Sequence, residues 1–139
     1  MKFTERELTV AVEAVAKQML SGAKPWRRGK VEEAWERLGI FDRYQRKATA
    51  GEVVLPVLVA LPERPTVGAR PEFSRAEYSA AAEEGCRSLV DAQSPGRWDR
   101  LSGGKRKRLV LVAVAMTRLA VEAMPVRQDP DGLTVPDHL

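Results

Sequence analysis

The chain is poor in the residues that most often do chemistry. It has 139 residues but one histidine and one cysteine. A Cys/His metal cluster is therefore excluded, and no serine or cysteine nucleophile has a positioned imidazole, because His138 is next to last in the sequence. Cys86 has no second cysteine to pair with, which suits a reducing compartment. Long apolar runs are missing as well. Val53–Pro62 and Leu109–Met116 are the longest, well short of the roughly 18 residues a membrane helix needs. The opening Met1-Lys2-Phe3-Thr4-Glu5-Arg6-Glu7 is charged and lacks the apolar stretch of a secretory leader. These absences set the expectation of a cytoplasmic protein without membrane, metal or cofactor.

What is present fits one globular domain. Hydrophobic residues make up 44% and charged residues 30%, so a core is available without disulfides. The net charge of +4 permits anionic partners without requiring them, so the clustering of charge matters more than its total.

Two helix starts are signed by capping boxes, in which a hydroxyl and a carboxylate satisfy two orphan backbone N–H groups. Thr4 and Glu7 form one, stapled by Phe3 and Leu8. Ser74 and Glu77 form the other, stapled by Phe73 and Tyr78. Helices are predicted over about 4–20 and 74–92. The first should bury Leu8, Ala11, Val12, Val15 and Met19. The second carries Ala81, Ala82, Gly85 and Cys86, small residues that let another backbone come close. A helix over about 30–38 places Val31, Ala34, Trp35 and Leu38 on one face, with Gly39 ending it in the left-handed conformation. A shorter helix over 40–47 should turn Phe41 and Tyr44 inward, and Thr49 with Glu52 suggests a fresh cap. The run 53–61 fits a helix face through Val54, Val57, Leu58 and Leu61, whereas Pro56 and the β-branched residues would also suit a strand; helix is favoured because no partner strand is evident. The last helix, about 104–124, is apolar nearly all round from Leu109 to Met116, which predicts a buried central helix. Trp35, Leu89 and Leu111 are expected in the core. The proline-rich segment from Pro125 onward should be extended or disordered. The recurrence of a capping box followed by a tryptophan with basic neighbours hints at two similar halves.

The densest cluster of charge follows a glycine pair, in Ser102-Gly103-Gly104-Lys105-Arg106-Lys107-Arg108. With Leu101 in front, Ser102-Gly103-Gly104 resembles the signature loop of ATP-binding-cassette ATPases, where such a turn at a helix N-terminus meets the γ-phosphate. The resemblance ends there. The G-x-x-x-x-G-K-[ST] phosphate loop is absent: Gly22 to Lys30 has the wrong spacing, and Val31 follows the lysine. No apolar strand ends in an acidic pair, and the chain is too short for that domain, so membership is rejected.

A physical point survives. A helix N-terminus prefers acidic side chains, yet this first turn is cationic, which costs a few tenths of a kcal/mol per charge, roughly, unless an anion is near. Ser102, Gly103, Gly104, Lys105, Arg106 and Arg108 therefore form a candidate anion site, extended by Arg27, Arg28 and Lys30 if the fold brings them together. The bland alternative is a solvated entry to a buried helix. Basic residues also interleave with aromatics around Trp26, Trp98 and Tyr44. Arginine neutralises phosphate and an exposed ring can stack on a base, although a tryptophan covering a core edge would give the same pattern.

The sequence thus predicts an all-α bundle of about five or six helices. One domain spans residues 1–124, with a buried C-terminal helix, and an extended tail spans 125–139. The expected function is a non-enzymatic binding or interaction module, its partner another protein or a second copy. The alternatives are a nucleic-acid- or anion-binding protein using the basic clusters at 24–30 and 105–108, and, behind that, an enzyme with carboxylate chemistry. Glu32, Glu33 and Glu36, and likewise Glu83 and Glu84, have the spacing of solvated helix faces.

Overall fold

The computed structural model describes residues 1–21, 28–65 and 67–127, with Arg28 and Gly29 as backbone alone. Among these residues the chain is all-helical, with six helices: α1 (Glu5–Ser21), α2 (Arg28–Arg37), α3 (Ile40–Ala60), α4 (Arg75–Gln93), α5 (Arg97–Arg100) and α6 (Gly103–Ala123). None of them is long and apolar enough to cross a membrane.

Both capping boxes form. At α1 the Thr4 hydroxyl accepts from the Glu7 N–H at 3.1 Å, and Glu7 Oε1 accepts from the Thr4 N–H at 2.8 Å. At α4 the Glu77 N–H donates to Ser74 Oγ at 3.1 Å, and the Ser74 N–H to Glu77 Oε1 at 2.8 Å. The Phe73 ring meets Tyr78 edge-on, its centroid 5.4 Å away, as a staple should. Ala11, Val15 and Ala16 of α1 are buried; Met19, expected with them, is 38% exposed.

The central helix is α3, not α6. Ala50, Val54, Val57 and Leu58 are fully buried, and α3 packs against α1, α4 and α6. It is one continuous helix where the sequence suggested two pieces. Thr49 does not cap a new start: its hydroxyl donates back to the Gln45 carbonyl at 3.0 Å, a mid-helix contact. Pro56 lies inside the helix. An interior proline costs about 3 kcal/mol, whereas burying Val54, Val57 and Leu58 contributes roughly 1.5–3 kcal/mol each, so packing outweighs the defect. Glu52, whose carbonyl loses its helical donor, faces solvent.

Helix α4 approaches α3 closely at its small residues. A Cβ on Gly85 would come within 2.7 Å of Val57 Cγ2 and 3.1 Å of the Val57 nitrogen. Ala81 and Ala82 are buried beside it. The corner between α2 and α3 is closed differently from expectation. Gly39 is extended, with φ −66° and ψ 161°. The last carbonyls of α2 are taken by Arg43, whose Nε donates to Trp35 O at 3.1 Å and Nη2 to Glu36 O at 2.7 Å. Trp35 is buried, as predicted.

Helix α6 packs against α1, α3 and α4, but along one row: Ala113, Thr117, Ala120 and Val121 are its buried residues. Leu111 is 59% exposed and Val112 52%, and Leu89 on α4 is half-buried, so these two core expectations for leucine do not hold. A run that is apolar on all sides carries no phase, and neighbours cover only one side of it.

Residues 125–127, assigned in sequence to the tail, are docked. Arg127 Nη2 lies 2.7 Å from Glu7 Oε1 and its Nε 3.0 Å from Oε2, a bidentate pair with both side chains nearly buried. The Arg127 carbonyl accepts from the Gly68 N–H at 2.7 Å, and Val67 and Arg127 form an isolated parallel bridge. Residues 128–139, His138 among them, lie outside the described residues.

Candidate binding surfaces

Helix α6 begins at a hydroxyl cap. The Ser102 side chain accepts from the Lys105 N–H at 3.2 Å, so this amide is already occupied within the helix. Lys105, Lys107 and Arg108 are exposed and Arg106 is half-buried. The side chains of α4 and α6 face each other in antiparallel order: Arg118 lies over the Tyr78 ring at 5.1 Å, and the Cys86 thiol donates to the Leu109 carbonyl at 3.7 Å. The start of α6 therefore sits beside the end of α4, and α5 bridges the two.

That bridge is anchored by Trp98. Its ring is buried, and its backbone N–H donates to Asp91 Oδ1 on α4 at 3.0 Å. Gly96 enters α5 with φ 77°, a left-handed conformation that favours glycine. Arg100 folds back onto its own loop, donating to the Pro95 carbonyl and to Ser94 Oγ. Arg97 does not, and it lines a groove of 450 Å³ between α4, α5 and α6. The floor is aliphatic, made by Leu89, Val90, Leu101 and Leu109; the rim is cationic, made by Arg97, Lys105 and Arg108. Gln93 completes the lining, and no described carboxylate belongs to it.

The structure therefore brings together only part of the expected anion site. Lys105 and Arg108 both line the groove; Ser102 serves as a cap, and a Cβ on Gly103 or Gly104 would meet nothing within 4 Å. Lys30 is exposed on α2, which packs against α1, and it does not line the groove. Arg27 and the Arg28 side chain lie outside the described residues. Arg97 and the four aliphatic residues were missing from the sequence-derived set, and Trp98, flanked by Arg97 and Arg100, was the available signal.

Of the three aromatic clusters, Trp98 is core and Trp26 lies outside the described residues. The third behaves differently. Ile40 is 86% exposed, Phe41 70% and Tyr44 66%, the reverse of the inward placement expected for the two rings. Arg43 takes the inward position here, held by the α2 carbonyls, and the rings are left in water; Arg46 lies on another side of α3, where it lines a pocket with Met19, Asp42 and Thr49.

The ionisable groups with resolved shifts lie elsewhere. Burial raises the Cys86 thiol, keeping it protonated. Burial also raises the Tyr78 hydroxyl. At Glu7 burial opposes ionisation, but hydrogen bonds from Arg127 and Thr4 and the Arg127 charge outweigh it, and the carboxyl stays below its usual range. Glu77 is lowered by the Ser74 backbone hydrogen bond and, against burial, by Arg64. Both are structural groups at helix starts. Among the described residues no three His, Cys, Asp or Glu side chains gather in a way that could hold a metal ion. No known protein family, characterised protein or solved structure matches this chain.

Proposed function

We propose that the protein is a non-enzymatic interaction module of the cytoplasm that docks another protein chain on the exposed start of α3. One observation carries this reading: Ile40, Phe41 and Tyr44 stand contiguous and mostly in water at a corner whose backbone is fixed by Arg43. Contiguous large apolar side chains of this kind mark interaction sites, and aromatic residues dominate the energetics of such sites. Because the corner is tied down before binding, a partner need not order it. The unpaired Cys86 supports a reducing compartment.

The test is a photo-crosslinking residue in place of Tyr44, compared with one in place of Glu84 on the exposed face of α4, in the native cell. A discrete protein adduct from position 44 and none from position 84 is expected. No adduct at 44, or the same adducts from both, would overturn the reading. Light scattering across a concentration series then shows whether the partner is a second copy.

A second reading rests on the same rings. Phe41 and Tyr44 lie about one helical turn apart and Lys47 follows one turn further along the same face, an arrangement suited to stacking bases while neutralising a phosphate. It predicts gel-shift affinity for single strands that falls steeply with salt and is lost on Tyr44→Ala.

A further inference from the structure

We infer that the groove between α4, α5 and α6 is a binding site for a single-chain anionic amphiphile, a small molecule with a carboxylate or phosphate head and an aliphatic body. This site is separate from the α3 surface and does not depend on the reading given to it. Its volume of 450 Å³ falls within the range of small-ligand sites. The chemistry divides into two halves. Leu89, Val90, Leu101 and Leu109 offer an aliphatic floor, and Leu109 is 41% exposed. Covering such a surface is favourable only for an apolar body. Arg97, Lys105 and Arg108 rim the floor, and none of the three is paired with a described carboxylate. Arginine in particular matches the two oxygens of a carboxylate or phosphate head.

Each half excludes a simpler ligand. A bare phosphate would leave the floor wet, and a neutral lipid would leave the cations unanswered. The floor has no aromatic ring, so a nucleic-acid base gains no stacking there. Arg100, next to the groove, shows the alternative fate of a basic side chain, since its guanidinium is engaged by its own loop.

The experiment is calorimetric titration of the full chain with decyl phosphate, inorganic phosphate and decyl maltoside, the two amphiphiles below their micelle concentrations. Decyl phosphate should bind one-to-one, about tenfold or more tighter than either of the others. Lys105→Glu/Arg108→Glu should weaken decyl phosphate by about tenfold or more with the helical signal unchanged. Leu109→Gln, at an exposed position, should weaken decyl phosphate and leave inorganic phosphate unaltered. Equal affinity for inorganic phosphate would mean a bare anion site, and equal affinity for the maltoside an undiscriminating apolar surface. Either result, or unchanged binding by the charge-reversed variant, overturns the proposal.

Discussion

Three long helices in this protein begin with a hydroxyl cap, and they differ at the third helical residue. Helix α1 has Thr4 followed by Glu7, α4 has Ser74 followed by Glu77, and α6 has Ser102 followed by Lys105. In the first two the carboxylate turns back to the cap's own N–H and also recruits a distant arginine, Arg127 for Glu7 and Arg64 for Glu77. In the third the place of the carboxylate is held by a cation that faces a groove. The same local frame thus serves two ends. With glutamate it closes a helix and staples a remote segment to it. With lysine it leaves the helix start less stable than it could be and directs charge outward. At Lys105 the chain departs from the stabilising pattern of its other two hydroxyl caps.

The largest effect is expected at α1. Arg127→Ala leaves the Glu7 carboxylate nearly buried without its partner, and a loss of about 3 kcal/mol is expected from urea unfolding. Truncation after Met124 should cost as much, since it removes the same guanidinium. A loss below 1 kcal/mol, roughly, would show that the pair is incidental.

Acid should act on the same contact. The Glu7 carboxyl sits below the ordinary value of 4.5, so its stabilisation is fully present above that value and is lost as pH falls through the folded-state value. The urea midpoint should therefore drop on acidification below about pH 4.5, and Glu7→Gln should flatten that slope while lowering stability at neutral pH. A steeper acid slope in Glu7→Gln would contradict the assignment.

Removing the cap hydroxyls is a smaller change. Thr4→Ala and Ser74→Ala should each cost on the order of 1 kcal/mol, read as a shift of the denaturant midpoint. Smaller still is Leu111→Ala on α6. Burial there would have meant roughly 2–5 kcal/mol, but at 59% exposure the expected cost is below about 0.5 kcal/mol.

These magnitudes also mark what could be read in the sequence. The starts of α1 and α4 were legible because a capping box is chemistry between residues three apart. The helical class followed from spacing. The continuity of α3 was not legible, since Pro56 and Thr49 are local signals of a break and the burial of Val54, Val57 and Leu58 that overrides them is tertiary. The exposed side of α6 was hidden because Leu109–Met116 is apolar at every phase. Arg127 lies 120 residues from Glu7, so its docking leaves no local trace. At the site, Lys105 and Arg108 stood out as cations where a helix prefers acids. Their aliphatic floor comes from α4, α5 and α6 together, and no spacing rule joins Leu89 to Leu109.

Lys105 stands at the start of α6 against the helix's own preference for an acid. The urea midpoint of Lys105→Glu in the ligand-free protein measures the cost of that lysine. The variant completes a third capping box on Ser102 and puts an acid at a helix N-terminus, so stability should rise by about 0.5–1 kcal/mol. An unchanged or lowered midpoint would show that Lys105 carries no such cost at the start of α6.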